Sequence, residues 1–549
     1  MNRSGLTVLS IATLFGGTLL SSVGSLPAKA EGISTRESFD TVILPVLNTD
    51  IEPDFSEPNS SEPSASPAES LELEEAGQSS PSALPGQVMP NLDRELEMSP
   101  EAEMPMAPTL ADAQKAYRRG VKRYQEEKWA SALEQFNAAI AINSDYAEAY
   151  LFRAATYREL GNTTAAMDDY RTATMVRPDY ALAHFAQGAL FYEMGELSSA
   201  NGAFNRAIAI NPDYAEVYDY RGLTKAAARN FQGALADYDM ALSIAPTYAP
   251  ALMHRGAALI ELEEFDSAVP ALTAAIKNSK DYAEAYLNRG VAYYNLGTLP
   301  AALKDVNTAL DINDTSEAFY NRSYIFSAMG RPNAAIKDIN VVLARQPNSV
   351  EAYMARGTIY SAQGNNEAAI ADFNRAIELD VYSSEAYRQR ASVHMANNNL
   401  ADAIADYDSA IGLNPVDEDI YKGRADAYAV YGNLPAAISD YTYAIELDNS
   451  NDSALAARGR ALYESGNANG AYQDFSAIIR RNPAARADIY YYRGLSLVAL
   501  GDSVAAHDDL RSAAERYLQE GEADGYRAVL AQMSAILDES SSDLRSASN

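Results

Sequence analysis

The chain has 549 residues, no cysteine and a formal net charge of −32 at pH 7. The lack of cysteine excludes a disulfide framework and a lipid-anchored lipoprotein. The acidic balance argues against nucleic acid and anionic lipid as partners, because no basic surplus is available to neutralise phosphate.

Residues 1–30 have the pattern of a secretory signal peptide. Arg3 supplies a positive start, an apolar stretch follows, and Ala28 and Ala30 place small residues at both cleavage subsites. A membrane anchor is the alternative, but the apolar stretch is short and two glycines interrupt it. We therefore expect an exported protein with no membrane anchor after cleavage, in the periplasm or outside the cell of a bacterium. The thylakoid lumen is a further expected location if the bacterium is photosynthetic.

Residues 31–108 are rich in proline, serine and glutamate. Such a segment buries too little apolar surface to offset the entropy lost on ordering, so we expect a disordered acidic linker. One apolar stretch, Phe39 to Leu47, interrupts it. This stretch is either a linear motif that docks on a partner or an accidental cluster, and the sequence favours neither.

A helical repeat begins near residue 109, and one copy of it runs from Tyr282 to Asp314. Apolar residues recur at i, i+3, i+4 and i+7 on both sides of Gly297, which predicts two amphipathic helices joined by a tight turn. Gly290 in the first helix and Ala302 in the second are small residues twelve positions apart. Small residues at these places indicate that the two helices cross closely.

The same pattern occurs in twelve copies, in steps of 34 residues except for one step of 33 and one of 35. An alanine follows the small residue by twelve positions in every copy. The small residue itself stands at Gly120, Ala154, Gly188, Gly222, Gly256, Gly290, Ser323, Gly357, Ala391, Ala425, Gly459 and Gly494.

A 34-residue helix–turn–helix repeat with these small positions resembles the tetratricopeptide repeat family. The resemblance implies an all-α fold, a right-handed α-solenoid superhelix of stacked hairpins whose first helices line a concave groove. It also implies that the groove binds a protein or peptide. We expect the array over 109–522, a capping helix over 523–538 and a disordered tail over 539–549.

An arginine directly precedes the small residue in eleven copies, as Arg289 precedes Gly290. An aspartate follows the small residue by fifteen positions in nine copies, as Asp305 does. The arginines are either a row of anion-binding groups or internal struts, each bonded to the aspartate of the second helix, and the struts are the favoured interpretation.

Large apolar and aromatic residues occupy candidate groove positions three before and four after the small residue. The helix-opening positions that could carry the lysine of a carboxylate clamp are mostly acidic, which argues against recognition of a peptide C-terminus. We expect the partner to bind an apolar wall, or else some of these residues pack against neighbouring hairpins. The predicted partner-binding residues are Met253, Ile260, Leu287, Tyr294 and Tyr320.

No catalytic or cofactor motif is present in the sequence, and the four histidines, His184, His254, His394 and His507, have no partner at metal-ligand spacing. We therefore predict a non-catalytic scaffold that needs no cofactor and binds a protein partner at the cell envelope. Two alternatives stay open. One is a carbohydrate- or cell-wall-binding protein, because 36 tyrosines offer stacking surfaces. The other is an enzyme whose site no motif reveals.

Overall fold

A computed structural model describes residues 108–547 and their side chains as far as Ile536. The predicted signal peptide, nearly all of the predicted linker and the Phe39–Leu47 stretch lie outside the described residues. All regular secondary structure in the described part is helical, which confirms the all-α class. Backbone contacts divide the chain into two compact units, with the boundary between Asn278 and Ser279.

The first unit contains five helical hairpins in its described part. In each hairpin the two helices contact each other directly, and within the unit the second helix also contacts the first helix of the next hairpin. The helices are α1 (Leu110–Gln125), α2 (Trp129–Ile142), α3 (Ala147–Glu159), α4 (Thr163–Val176), α5 (Ala181–Glu193), α6 (Leu197–Ile210), α7 (Ala215–Ala227), α8 (Phe231–Ile244), α9 (Ala249–Glu261) and α10 (Phe265–Asn278).

The second unit contains seven hairpins and one further helix, with the same pattern of contacts. The helices are α11 (Ala283–Asn295), α12 (Leu299–Ile312), α13 (Ser316–Ala328), α14 (Pro332–Arg345), α15 (Val350–Ala362), α16 (Asn366–Leu379), α17 (Ser384–Ala396), α18 (Leu400–Leu413), α19 (Glu418–Tyr431), α20 (Leu434–Leu447), α21 (Asp452–Glu464), α22 (Ala468–Arg481), α23 (Ala487–Ala499), α24 (Ser503–Glu520) and α25 (Ala523–Ala547).

The turn inside each hairpin uses a residue in the left-handed region. Gly297, between α11 and α12, has a φ of 75°, a conformation that glycine adopts without steric cost. Four turns use another residue at this place, namely Glu127, Arg229, Glu263 and Asn398, with φ between 56° and 60°. These four turns carry a local backbone cost that the glycine turns avoid.

The small residues are required where the two helices of a hairpin cross. A Cβ atom added at Gly290 would lie 2.7 Å from Cγ2 of Val306 and 3.3 Å from the carbonyl oxygen of Ala302. Ala302 itself is fully buried. The large residue sixteen positions after the small one therefore packs directly on it, within the same hairpin.

The apolar interior differs between the two units. In the first unit one buried cluster extends from Tyr124 to Tyr220, and large side chains such as Phe152 and Phe185 fill it. In the second unit the buried residues form a series of smaller clusters. First helices of the second unit bury fewer side chains, since α17 (Ser384–Ala396) has three buried residues against nine in α5 (Ala181–Glu193).

The last helix is longer than the sequence analysis predicted. We expected a capping helix over 523–538 and a disordered tail beyond it, but α25 continues to Ala547. No proline or glycine lies between 538 and 547, so nothing in this segment interrupts the helical hydrogen bonds. Among the described residues, no helix is long and apolar enough to cross a membrane.

Candidate partner-binding surface

Nine arginine–aspartate pairs join the two helices of their hairpins, and we call them the struts. In the strut of α11 and α12, Nε of Arg289 donates to Oδ2 of Asp305 at 2.6 Å, and Nη2 donates to Oδ1 at 2.9 Å. All nine pairs have this two-point geometry, with N···O distances of 2.6–2.9 Å. They are Arg153–Asp169, Arg221–Asp237, Arg289–Asp305, Arg322–Asp338, Arg356–Asp372, Arg390–Asp406, Arg424–Asp440, Arg458–Asp474 and Arg493–Asp509.

Many struts also reach the preceding hairpin through Nη1 of the arginine. Arg356 donates through Nη1 to Oδ1 of Asn340 on α14, and Arg390 donates in the same way to Asn374 on α16. An aromatic ring four residues before the small position lies 5.2–5.8 Å from the guanidinium carbon in eight copies. These arginines are therefore held on several sides inside the array, which is the strut arrangement and not a row of free anion-binding groups.

The structure corrects the predicted partner-binding set at three positions. Met253 and Ile260 in the first unit are only 2% and 4% exposed, and Leu287 in the second unit is 7% exposed. Leu287 packs with Val306 and Ile325, and α9, which carries Met253 and Ile260, contacts the first helix α7 directly. Packing between neighbouring hairpins, the alternative that the sequence left open, therefore removes these three side chains from any ligand-facing surface.

Tyr294 and Tyr320, both in the second unit, remain partly exposed and lie near a third tyrosine, Tyr324. The hydroxyl groups of Tyr320 and Tyr324 are 2.9 Å apart, and their ring centroids are 5.1 Å apart. Burial raises the pKa of Tyr294, and the neighbouring Tyr324 raises it further. Burial is also the main cause that raises the pKa of Tyr320. The three tyrosines thus form one surface on α11 and α13.

Two polar residues, Glu317 and Asn321, lie on the same helix as Tyr320 and Tyr324. Burial, followed by the nearby carboxylate of Glu284, raises the pKa of Glu317 to about 8. Nδ2 of Asn321, a residue only 8% exposed, has no hydrogen-bond partner in the described part of the chain. We call Tyr294, Tyr320, Tyr324 and Glu351, the carboxylate that acts on the last two tyrosines, the tyrosine–glutamate surface.

Several carboxylates elsewhere on the first helices of this unit have a basic partner. Both oxygens of Glu385 accept hydrogen bonds from Arg388, at 2.6 and 2.7 Å. Asp426 accepts a hydrogen bond from Lys422 at 2.8 Å, and Arg460 and Arg486 both form ion pairs with Asp488. Among residues 108–536, no basic side chain is paired with Glu317 in this way.

Two of the histidines, both in the first unit, have buried or main-chain partners. Nδ1 of His254 lies 2.8 Å from Oδ1 of the buried Asp219, and Nε2 of His184 lies 2.9 Å from the carbonyl oxygen of Pro178. No group of three or more histidine, aspartate or glutamate side chains that could hold a metal ion occurs in the described part of the chain.

The helical repeat matches known protein-family models. The hairpins define an all-α helical repeat protein. Three family models, described as tetratricopeptide repeat or TPR repeat, match stretches of the chain, so this is a tetratricopeptide repeat protein, as the resemblance predicted. The matched stretches are residues 185–249, 255–317 and 388–453 for one model, 350–381 for a second and 154–195 for a third. Members of this family generally mediate protein–protein interactions.

Solved structures similar to this chain include yeast Tom70, with 14% identity over 78% of this chain and 96% of that one, and a TM-score of 0.37. A tetratricopeptide repeat protein from Parabacteroides merdae has 20% identity over 45% of this chain and 98% of its own, and a TM-score of 0.39. Likeness at this level carries no information about ligand or partner. No curated protein matches the chain.

Proposed function

We propose that this protein is a non-catalytic scaffold of the bacterial cell envelope, and that the tyrosine–glutamate surface binds a protein or peptide partner. The observation that carries the proposal is the group of three partly exposed tyrosines, in which the hydroxyl groups of Tyr320 and Tyr324 are 2.9 Å apart. Partly exposed aromatic rings give large contact areas at low entropic cost, and they dominate binding energy in many interfaces. The membership of the repeat family supports a protein partner.

The experiment that tests the binding surface compares three forms of the full chain, each immobilised and exposed to envelope extract. The variant Tyr320→Ala/Tyr324→Ala removes the paired rings. The matched control Tyr382→Ala removes a tyrosine that is 75% exposed elsewhere in the same unit. We expect proteins captured by the parent and by the control to be lost with the double variant, at unchanged helical circular dichroism.

Other outcomes of the same experiment contradict the proposal. Capture that survives Tyr320→Ala/Tyr324→Ala would show that the partner binds elsewhere. Release of glycan fragments in place of protein would favour the carbohydrate-binding alternative, since sugar rings stack on tyrosine as well.

The envelope location is tested separately, because it depends on residues 1–30 alone. We expect the full chain to be cut after Ala30 and recovered outside the cytoplasm of a bacterial host. Mass spectrometry of the N-terminus checks the cleavage site, and a variant with Ala28 and Ala30 changed to bulky residues is the control that stays uncut.

A further inference from the structure

We infer that residues 93–103 of this chain dock on a basic face of α1 and cover the outer side of the first hairpin. This inference goes beyond the proposed function, because it concerns the first unit and a contact within the chain. Its basis is where the basic face stands in the repeat, how little of its charge is paired, and what precedes it in the chain. We call Lys115, Arg118, Arg119, Lys122 and Arg123 the basic face.

The basic face is one side of a single helix. Its five residues follow one another at i, i+3, i+4, i+7 and i+8, which is the spacing of one stripe along an α-helix. All five are exposed. The helix therefore packs on its hairpin through one stripe and presents a row of positive charges on the opposite stripe. The buried residues on the packed stripe are Ala113, Ala116, Gly120 and Tyr124.

Two residues of the basic face occupy positions at which later copies stack. The residue five before the small residue and the residue two after it are buried and uncharged in all eleven later copies. Ala149 of α3, for example, packs with Ala139 of α2, the second helix of the preceding hairpin. In the first copy the same two positions hold Lys115 and Lys122. No hairpin precedes α1 among the described residues, so both lysines are exposed where later copies are covered.

Most of the basic face has no carboxylate bonded to it. Arg123 pairs with Glu126, but the other four residues of the face take part in no ion pair among residues 108–536. Arg119 stands at the position of a strut arginine, yet Gln135 replaces the aspartate that the struts use. Asp112, the one carboxylate within α1, accepts hydrogen bonds from the N-cap threonine. The face therefore has the charge to bind an acidic segment.

An acidic segment lies directly before this face in the chain. Residues 93–103 contain five carboxylates and one arginine, which is a net charge of −4. Fully extended, these residues span at most about 36 Å, whereas the 16 residues of α1 span about 24 Å. The segment is thus long enough to run back along the whole helix. Pro105 and Pro108 stand between the two, and proline opposes one continuous helix, as such a return requires.

The tether favours this segment over an acidic partner from outside. A single exposed ion pair is weak, so docking on the basic face needs several pairs at once or a high local concentration of the ligand. Residues 93–103 are joined to α1 by a short connection, which gives them an effective concentration on the order of millimolar at the face. An outside peptide of the same charge competes only when it is as concentrated. The segment of this chain is therefore the occupant that charge, length and position select.

The test measures the distance between two spin labels on the full chain by double electron–electron resonance. One label is attached at Asn91→Cys, next to the segment, and the other at Gln125→Cys, the last residue of α1. The chain has no cysteine of its own, so these are the only attachment points. Spectra are recorded at about 0.01 M and about 1 M salt, where the Debye length is about 30 Å and about 3 Å.

We expect the distance to be shorter at low salt than at high salt by roughly 10 Å, because an undocked coil places Asn91 about 23 Å from the start of α1. An acidic segment that does not dock repels itself and extends at low salt, so the sign of the change separates the two cases. A distance that lengthens or stays the same at low salt on the unaltered face overturns the inference.

Two variants identify the face that binds. Lys115→Glu/Lys122→Glu should remove the shortening at low salt. The matched control Lys304→Glu/Lys337→Glu makes the same change of net charge at two exposed lysines of α12 and α14, and it should keep the shortening.

Two further results would overturn the inference. Shortening that survives Lys115→Glu/Lys122→Glu would show that the segment docks away from the basic face. Shortening that disappears when the labelled chain is mixed with excess unlabelled chain would show that the segment docks on a second copy. The proposed function stands or falls separately, by the capture experiment with Tyr320→Ala/Tyr324→Ala.

Discussion

Arg289 and Asp305 join α11 to α12 through two short hydrogen bonds, with N···O distances of 2.6 and 2.9 Å. Asp305 is buried, and its hydrogen bond is the main cause that raises the pKa of Arg289. Because both charges are largely withdrawn from water, removing one leaves the other uncompensated.

The first prediction concerns this strut. Arg289→Ala should destabilise its hairpin by about 3–5 kcal/mol, because the carboxylate of Asp305 remains buried without a partner. Asp305→Ala should be similarly costly, but the double variant should cost less than the sum, with a coupling on the order of 0.5–3 kcal/mol. Chemical denaturation of the four proteins measures this, and additive effects would contradict the strut.

The second prediction concerns the helix crossing. Ala302→Leu should destabilise the hairpin by roughly 1–3 kcal/mol, because Ala302 is fully buried at the crossing. Gly290→Ala should also destabilise it, since the new Cβ would meet Val306 at 2.7 Å. The control is Val306→Ala, which should offset most of the cost of Gly290→Ala. Hydrogen exchange of α11 and α12 should locate the effect there, and exchange that rises uniformly over all helices would contradict the prediction.

The third prediction concerns the left-handed turns. Glu263, between α9 and α10, has a φ of 60°, so Glu263→Gly should stabilise the chain by about 0.5–1 kcal/mol, even after the entropy that glycine adds to the unfolded state. Asn398→Gly is the control and should gain less, because asparagine tolerates this conformation better. Thermal unfolding compares the two, and an equal or larger gain at Asn398 would contradict the steric explanation.

The fourth prediction concerns pH. The pKa of Glu317 is about 8 in the folded chain against an ordinary value of 4.5, so the folded state binds the proton more tightly. Its contribution to stability is fully present below about pH 4.5 and is lost as the pH rises through 8. Between these pH values the free energy of unfolding falls by at most about 1.4 kcal/mol per pH unit because of this group.

Glu317→Gln should remove this slope, so that variant and parent are closest in stability at low pH and the variant is favoured near pH 8.5. Glu284, whose carboxylate also raises the pKa of Glu317, is unchanged in both proteins. Thermal unfolding at matched pH values measures the difference. A difference that does not change with pH would show that Glu317 titrates normally.

The repeat period was sufficient to predict the hairpins and the struts, because both depend on residues at fixed separations within one copy. The arginine and aspartate positions that Arg289 and Asp305 occupy are filled together in nine copies, which indicates that the two side chains are in contact. The link from Arg356 to Asn340 was missed. The sequence does contain a sign of this hydrogen bond, because a polar residue follows each small residue by seventeen positions. A polar residue on a helix is, however, also what an exposed position would show.

The candidate surface was predicted only in part, because exposure depends on what the neighbouring hairpins place against each side chain. Met253 and Tyr320 occupy equivalent positions in their copies, yet Met253 is buried and Tyr320 is partly exposed. Asn321 was not singled out, since one asparagine on a helix carries no pattern. The missing partner of its amide becomes visible only when the surrounding packing is known.

The struts also bear on how such a chain can change its length. Arg356 bonds to Asn340 and Asp372, which lie sixteen residues before and after it, so a deletion of residues 357–390 would join Arg356 directly to Ala391. Asp406 would then stand where Asp372 does now, and Asn340 would keep its place, so Arg356 would retain both kinds of partner. Unequal recombination between copies in the gene could therefore remove or add whole repeats without leaving an unpaired charge at the junction.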